Sequence, residues 1–500
     1  MRATSAWIAA AVVFVVHALG NAHYGFFRDE LYFIICGRHP QWGYVDQPPV
    51  VPLLAAATQL FGHSLWLLRI VPALFAALGA YTTCLLAIEF GGELFAQAVA
   101  TIGYLFAGVL LSFGQKAGPD EVGLWTWPLL ALLLVRVAKS GEPRLWLLFG
   151  LVAGFSIESK YSVLFFLVAL IVGLLLTPQR NVLWSRWCAG GVGIAVLIAM
   201  PNFLWQAHYG FPMLQLLKAG AAGKNVIVSP PLYLVQEILI TNLFLFPIWA
   251  IGLVWLFGTA AYRFLAYAYV MLILEMLVFH GKHYYPANVY PILMAAGGVA
   301  IERWTAGAWF ARAPIVAYAL VLGPVFVPFS LPVLSEPAFL AYQSRIGAVL
   351  HMKRDVIATE HGRERTALPG DWADMHGWPE LASAIKGVYD GLPADDRSKA
   401  VVLAANYGQA SAIEFFAPGI PVVSGHNQFF LWGPGDGRHD VIIDVDGDCG
   451  AKEHVFGSAV LATRFNAPYT IGWETNLPIM VCRQPRESLA ALWPRLKLYY

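Results

Sequence analysis

Residues 25–36, GFFRDELYFIIC, directly follow the first long apolar run of the chain and carry three consecutive charges, Arg28, Asp29 and Glu30. Of the 500 residues, 58% are hydrophobic and 13% are charged, whereas soluble proteins contain about 25% charged residues. This composition is typical of a membrane protein, so the three charges stand where a bilayer is expected. Charges at that depth are costly, and an acidic pair there indicates a functional site. Ordinary charges at a helix end are the alternative interpretation.

Charge and cysteine content argue against two other classes of protein. The net charge of +1 provides no clustered basic surface, which recognition of a nucleic acid backbone requires. The cysteines form no CxxC pair and have no Cys/His spacing of a zinc site. We therefore expect neither nucleic acid binding nor structural zinc.

Apolar runs of roughly 17 to 25 residues, the length that crosses a bilayer core, recur along the first two thirds of the chain. We count eleven: 4–21, 64–88, 94–113, 121–138, 144–158, 162–178, 187–205, 232–257, 264–280, 286–301 and 313–333. The Lys and Arg residues of the short loops slightly favour a cytoplasmic N-terminus, and an odd count then places the C-terminus outside. Two alternatives stay open: the fifth and sixth runs form one re-entrant unit, or the first run is a cleavable signal peptide.

Residues 335–500 differ in composition from the transmembrane domain predicted for residues 1–334. Short strand-like runs alternate there with a helix-like run at 409–416 and with Gly/Pro turns. The strand-like runs are 400–404, 421–424 and 441–443. The pattern predicts a soluble α/β domain on the outer side of the membrane.

The first outer loop, residues 22–63, is half apolar and too hydrophobic for a free aqueous loop. Its residues 49–61 predict a short interfacial helix along the membrane surface.

Several motifs in the same order resemble the GT-C membrane glycosyltransferases, in the bacterial branch near protein O-mannosyltransferases and lipid A aminoarabinose or galacturonic acid transferases. FRDELY followed by GYVDQPP matches the first outer loop of that family. Further matches are AGPDEVGLWTW, SIESKYS, HGKHYYPANVYP, NYGQASAIEFF and SGHNQFFLWGPG. The resemblance covers most of the chain. It implies a polytopic α-helical protein with about 11 transmembrane helices, a GT-C-like fold and a C-terminal extracytoplasmic α/β domain. It also implies sugar transfer from a polyprenyl phosphate to a lipid, glycan or protein at the outer face of the cytoplasmic membrane.

Acidic residues suit this reaction because an acceptor hydroxyl is a poor nucleophile until a carboxylate removes its proton. Asp29 is the candidate base, and direct displacement with one base predicts inversion at the anomeric carbon. Glu30 lies about 100° around a helix from Asp29, so it is a second candidate or orients a neighbour. Asp120 is singled out by the resemblance as a third catalytic acid, although an N-cap is an ordinary role for an Asp at a helix start.

The leaving group is a lipid phosphate, so cationic donors are needed where negative charge develops. The candidates are Lys282, Lys160, Arg28 and Arg69, the last pairing with a carboxylate or a phosphate. Snorkelling of Lys282 to the interface is its alternative. Asp46 is a further substrate-binding candidate. It precedes Gln47, where the aminoarabinose branch carries a Lys, and this departure removes one expected phosphate contact.

Other candidates lie near the predicted outer surface. Tyr285 is a candidate for stacking on the sugar, and Asn406 and His426 match the family pattern for residues beside the acceptor. A divalent cation (Mg or Mn) is the one cofactor to consider, but His280 and His283 lack an adjacent carboxylate and predict no metal ligands.

A transporter or flippase of lipid-linked sugars is the competing function. It predicts two related halves and paired broken helices around a midplane site, and no related halves are visible in the sequence. Neither the sugar nor the acceptor is indicated by any motif.

Cys449 and Cys482 are the cysteines of the predicted outer domain. An oxidising compartment permits a bridge between them, but sequence leaves open whether their Cα atoms lie within about 7 Å.

Overall fold

The computed structural model describes residues 2–21, 23–220, 226–351, 366–437, 439–450 and 455–500. Its first part is helical and its last part contains a small sheet. The helices of the first part are α1 (Arg2–Gly20), α2 (Arg28–Arg38), α3 (Val50–Thr58), α4 (Leu65–Glu89), α5 (Leu94–Leu105), α6 (Gly108–Gln115), α7 (Gly123–Ser140), α8 (Leu145–Ile157), α9 (Val163–Leu175), α10 (Arg186–His208), α11 (Pro212–Ala219), α12 (Pro230–Thr241), α13 (Phe246–Gly258), α14 (Arg263–Val278), α15 (Tyr290–Trp304), α16 (Arg312–Leu322) and α17 (Glu336–Leu350). Short 3₁₀ segments occupy Gln59–Phe61, Pro178–Trp184, Ala287–Val289, Trp309–Ala311 and Gly323–Phe329.

The apolar helices are those of a multi-pass membrane protein. Within the described ranges, three are individually long and apolar enough to cross a membrane: Leu65–Glu89, Arg186–His208 and Trp309–Phe329. The number rises to six if each of three bent helix pairs crosses as one unit. The bends measure 67° between α5 and α6, 119° between α9 and the 3₁₀ segment after it, and 115° between α12 and α13. The eleven spans expected from sequence therefore stay a prediction.

Two of the predicted spans, 94–113 and 232–257, are not continuous helices. The second breaks at Asn242, whose φ of 128° no helical residue adopts. Its Nδ2 donates to the carbonyl oxygens of Phe106 and Gly323, each at 3.0 Å. Phe106 lies in the break between α5 and α6, so one buried amide stabilises the backbone at both breaks and at the end of α16.

Loops that alternate along the chain lie at opposite ends of the helical bundle. At one end, the loop before α2 and the loops after α6, α8 and α14 meet; Glu30, for example, accepts from the N–H of Ala117 at 3.0 Å. We call this the upper end. At the other end, Lys139 at the end of α7 pairs with Glu89 at the end of α4 at 3.0 Å. The upper end thus collects the loops that sequence analysis assigns to the outer side.

The predicted interfacial helix at 49–61 is present as α3 and the 3₁₀ turn that follows it. Leu60 and Phe61 are 80% and 85% exposed. Large apolar side chains directed outward are what an interfacial helix requires.

The C-terminal part consists of short helices around a sheet of five strands within the described residues. Its helices are α18 (Gly370–Ala373), α19 (Trp378–Asp390), α20 (Ala394–Arg397), α21 (Tyr407–Phe416), α22 (Gln428–Trp432) and α23 (Leu489–Leu492), with 3₁₀ segments at Gly472–Glu474 and Trp493–Leu496. The strands are β1 (Ala400–Ala404), β2 (Val422–Ser424), β3 (Val441–Val445), β4 (Phe456–Phe465) and β5 (Leu477–Pro485).

The strands have the order β2-β1-β3-β5-β4. β1 pairs in parallel with β2 and β3, whereas β5 runs antiparallel to β3 and to β4. The strand-like runs at 400–404, 421–424 and 441–443 are confirmed. Sequence analysis did not identify β4, an edge strand whose middle is exposed on both faces and lacks a clear alternation of buried and exposed residues.

Cys449 and Cys482 are bridged, with their Cα atoms 5.8 Å apart. The disulfide ties the turn after β3 to β5, and thus links two neighbouring strands across a sequence separation of 33.

Helix α2 is packed into the C-terminal part of the molecule. Its buried Tyr32 and Ile35 belong to the same hydrophobic cluster as Ala410, Ile413 and Phe429. The first loop and the C-terminal part therefore share a core, and the boundary predicted at 334/335 stays a prediction.

Candidate functional site

Helix α2 begins within the motif FRDELY, and its own residues fix that start. Phe27 is extended, with φ −70° and ψ 144°, and its N–H donates to Glu30 Oε2 at 2.8 Å. Asp29 and Glu30 both lie in the first turn, where negative charge is favoured by the helix dipole. The two acids then diverge, because each has different partners.

Glu30 forms a fully buried ion pair with Arg69 of α4. Both side chains are 0% exposed, and Arg69 Nε and Nη2 donate to the two carboxylate oxygens at 2.9 Å each. The remaining N–H groups of Arg69 donate to the backbone oxygens of Asn21, His23 and Gly25. Of the two roles considered for Glu30, this geometry favours positioning of its neighbour, and Arg69 pairs with a carboxylate.

Asp29 keeps a side chain that is 32% exposed. Its Oδ1 accepts from the hydroxyl of Tyr407 at 2.7 Å and from Arg28 Nε at 3.3 Å. Arg28 lies with its guanidinium carbon 5.1 Å from the centre of the Tyr407 ring, and its Nη2 is 3.9 Å from Asp374. Asp29 is therefore an accessible carboxylate that is held by a hydroxyl and a guanidinium.

Asp46 lies beside the same group of aromatic rings. Tyr32 donates its hydroxyl to Asp46 Oδ1 at 2.9 Å, and Asn427 Nδ2 is 3.3 Å from Oδ2. Burial raises the pKa of Asp46 to about 7, and the carboxylate of Asp29 also raises it. The rings of Tyr32 and Tyr407 are 4.5 Å apart, so the structure brings Asp29 and Asp46 to one place.

Asp120, Lys160 and Tyr285 form a second cluster at the upper end. Lys160 Nζ donates to both oxygens of Asp120, at 2.7 and 2.6 Å, and lies 4.8 Å from the centre of the Tyr285 ring. The N-cap of α7 is Val122, so the alternative that Asp120 is an ordinary helix cap is wrong. Three predicted site residues from three separate loops thus meet.

Lys282 lies in the loop between α14 and α15, two and three residues before Tyr284 and Tyr285. Its backbone oxygen accepts from the Tyr233 hydroxyl at 3.5 Å. The neighbouring His283 is buried, and burial followed by the charge of Lys282 lowers its pKa to about 4. A neutral imidazole at this position leaves Lys282 as the cation of its loop.

Asn406 and His426 lie after the carboxyl ends of β1 and β2, which are neighbouring parallel strands. Asn406 Oδ1 caps α21 by accepting from the Gln409 N–H at 3.0 Å, and its Nδ2 donates to Glu474 at 2.7 Å. The His426 ring is 4.9 Å from the Tyr407 ring. Carboxyl ends of parallel strands are the usual binding edge of such sheets, and here that edge faces α2.

Several contacts across this edge were not identified from sequence. Lys116 pairs with Asp371, and Lys116 Nζ lies 4.6 Å from the centre of the Phe27 ring. Lys116 appears in sequence as an outer-loop cation next to AGPDE. An unpaired basic residue in that motif was the available signal, but its partner is 255 positions away.

Comparison with known proteins agrees with this arrangement. Residues 46–205 match the family described as dolichyl-phosphate-mannose-protein mannosyltransferase. The crystal structure of ArnT from Cupriavidus metallidurans in the apo state superposes with a TM-score of 0.62, covering 95% of this chain and 97% of that one at 14% identity. The chain has the GT-C fold. The structure of the same protein bound to undecaprenyl phosphate gives a TM-score of 0.59 at 15% identity, with the same coverage of both chains.

A curated relative extends the resemblance to lipid A transferases. The lipid A galacturonosyltransferase RgtD of Rhizobium johnstonii is 25% identical over 186 residues, which are 37% of this chain and 39% of RgtD. The match thus spans about two fifths of that relative. The predicted resemblance to GT-C membrane glycosyltransferases of the lipid A branch is confirmed.

Proposed function

We propose that this protein is an inverting glycosyltransferase that moves a sugar from a polyprenyl-phosphate donor to a lipid, glycan or protein acceptor at the outer face of the cytoplasmic membrane. One observation carries the proposal: an accessible carboxylate, Asp29, lies at the junction of the helical bundle and the C-terminal domain. The cluster of Asp120 and Lys160 lies at the same end, in a fold that one relative uses with bound undecaprenyl phosphate.

Asp29 acts as the base in the proposed reaction. The acceptor hydroxyl gives its proton to the Asp29 carboxylate while its oxygen forms a bond to the anomeric carbon of the sugar. The bond between that carbon and the phosphate oxygen breaks, and its electron pair stays on the phosphate. Because the nucleophile enters opposite the leaving group, the configuration at the anomeric carbon inverts.

Cations of the upper end stabilise the departing phosphate. Lys160, which is 23% exposed at its side chain, is oriented by Asp120 and by the Tyr285 ring. Lys282 supplies a second cation from the adjacent loop. Fixed charges that face the developing negative charge lower the barrier because they need no rearrangement during the reaction.

The donor set at this site does not fit a divalent cation. Lys160 occupies both oxygens of Asp120, and Arg69 occupies both oxygens of Glu30. Among the described residues, the group of three metal-type side chains that lie within reach of each other is Asp444, Cys449 and Cys482, and its two thiols are bridged. We therefore assign Asp120 to the positioning of Lys160.

The substitution Asp29→Asn tests the proposal, because the amide keeps the shape of the side chain and loses its basicity. We expect the purified variant to be folded in detergent and to lose transfer by at least about a hundredfold. Transfer is measured with a polyprenyl-phosphate sugar, after mass spectra of lipids and surface glycans from cells with and without the protein identify the missing sugar.

Asp390→Asn is the matched control, since Asp390 is an exposed residue of α19 that pairs with Lys386. Near-normal turnover of Asp29→Asn excludes Asp29 as the base. A covalent sugar product formed in detergent, where no compartments exist, distinguishes an enzyme from a flippase.

A further inference from the structure

Tyr407 joins the C-terminal domain to the acid of the first loop. It is the first residue of α21, is 8% exposed, and has its ring between those of Tyr32 at 4.5 Å and His426 at 4.9 Å. This packing fixes the ring. The hydroxyl then lies 2.7 Å from Asp29 Oδ1, across a sequence separation of 378.

The charged groups around Asp29 come from several elements. Arg28 approaches from α2 itself, with Nε at 3.3 Å. Asp46 faces the same rings from the loop after α2, and its pKa responds to the charge of Asp29. The hydroxyl of Tyr407 is the contact to Asp29 that comes from the C-terminal domain.

A further group of residues from the C-terminal domain acts on Asp29 indirectly. Asp374 lies 3.9 Å from Arg28, Arg28 also lowers the pKa of Glu474, and His426 packs on Tyr407. Arg28 is therefore shared among three carboxylates. The neutral donor from Tyr407 is directed at Asp29 alone among the described contacts of its hydroxyl.

We propose that Tyr407 is a positioning residue for the catalytic base: its hydroxyl fixes one Asp29 oxygen and stabilises the ionised carboxylate, leaving the other oxygen for the acceptor. This inference rests on the proposed function. It makes the C-terminal domain part of the catalytic unit, since the domain orients the base through this hydrogen bond.

The substitution Tyr407→Phe removes the hydroxyl and keeps the ring. Loss of a hydrogen bond to the charged form makes a carboxylate harder to ionise. We expect the acid limb of the kcat profile to move upward by about one pH unit. We also expect kcat at neutral pH to fall about tenfold, because the base loses its fixed orientation, with the donor KM unchanged within about twofold.

Tyr389→Phe is the matched control, because Tyr389 in α19 donates its hydroxyl to the Arg397 oxygen at 3.3 Å in the same domain. It should leave the profile unchanged. A second comparison uses Asp46→Asn, in whose background the shift caused by Tyr407→Phe should persist, which excludes titration of Asp46 as its source.

The outcomes separate this inference from the function on which it rests. Wild-type protein that transfers no sugar contradicts the proposed function. Wild-type transfer with an unmoved acid limb in Tyr407→Phe overturns the role of Tyr407, and so does an equal loss in Tyr389→Phe. A moved limb with an unchanged donor KM supports it.

Discussion

Asp29 and Glu30 are sequence neighbours with opposite environments. Glu30 is enclosed by Arg69 and by the N–H groups of Phe27 and Ala117, which satisfies both of its oxygens. Asp29 retains exposed surface and two donors. One helical turn therefore separates an acid that holds the loop from an acid that is available to substrate.

The pair of Glu30 and Arg69 leads to a prediction about stability. Arg69→Met leaves a buried carboxylate without its cation and the oxygens of the loop before α2 without donors. We expect the free energy of unfolding to fall by about 3–5 kcal/mol, measured by thermal unfolding in detergent. The double variant Arg69→Met/Glu30→Leu should recover part of the loss. If the single variant is as stable as wild type, the pair has no structural role.

The motifs of the sequence predicted which residues lie together but not what each contacts. FRDELY, AGPDE, SIESKYS and HGKHYYP follow alternate apolar runs, and their loops do meet at the upper end. Their partners are distant in sequence: Asp120 and Lys160 are 40 residues apart, and Asp29 and Tyr407 are 378 apart. No local pattern encodes such pairs, because side-chain contacts depend on the packing of the whole chain.

Helix α21 is tied to the C-terminal domain by a buried acid. Glu474 accepts from Asn406 at 2.7 Å and from Gln409 at 2.8 Å, so it supports both the cap and the first turn of the helix that carries Tyr407. Sequence analysis identified the helix but not Glu474. This residue lies in a polar turn without a motif, and its role follows from burial alone.

Glu474 makes stability depend on pH. Burial raises its pKa to about 7 from 4.5, so the unfolded chain releases this proton at lower pH than the folded chain. The free energy of unfolding should therefore fall by about 3 kcal/mol between about pH 4.5 and 7 and stay level above that range. Glu474→Gln should abolish this slope in chemical denaturation, whereas Glu380→Gln, at an exposed position of α19, should retain it. An identical slope in all three proteins contradicts the assignment.

Breaks in the helices were the least predictable elements. Runs 94–113 and 232–257 are apolar throughout, and nothing in their hydrophobicity marks the turns at Phe106 and Asn242. Asn242 is the visible signal, a polar residue within an apolar run. Its significance depends on carbonyl groups exposed at another break, which sequence periodicity does not reveal.

The molecule as a whole is organised around α2, which belongs by sequence to the first loop and by packing to the C-terminal domain. The cluster that contains Tyr32 and Ile35 also contains residues of α19, α21 and the sheet. The carboxyl ends of β1 and β2 reach the same helix through Tyr407 and Asn427. The helical bundle and the C-terminal domain therefore cannot separate without exposing one core and breaking the contacts of Asp29.

The shared core predicts that damage in α2 is felt in the sheet. Ile35 is 0% exposed, and Ile35→Ala should lower the free energy of unfolding by about 2–4 kcal/mol through lost burial and the remaining cavity. Because that core includes Val402 of β1 and Ile443 of β3, we expect faster amide hydrogen exchange in both strands. Ile8→Ala is the matched control, since Ile8 is 61% exposed on α1 and its loss should leave that exchange unchanged. Unaltered exchange in β1 and β3 of Ile35→Ala would mean that the two parts fold independently, and the C-terminal domain could then not hold the base in place.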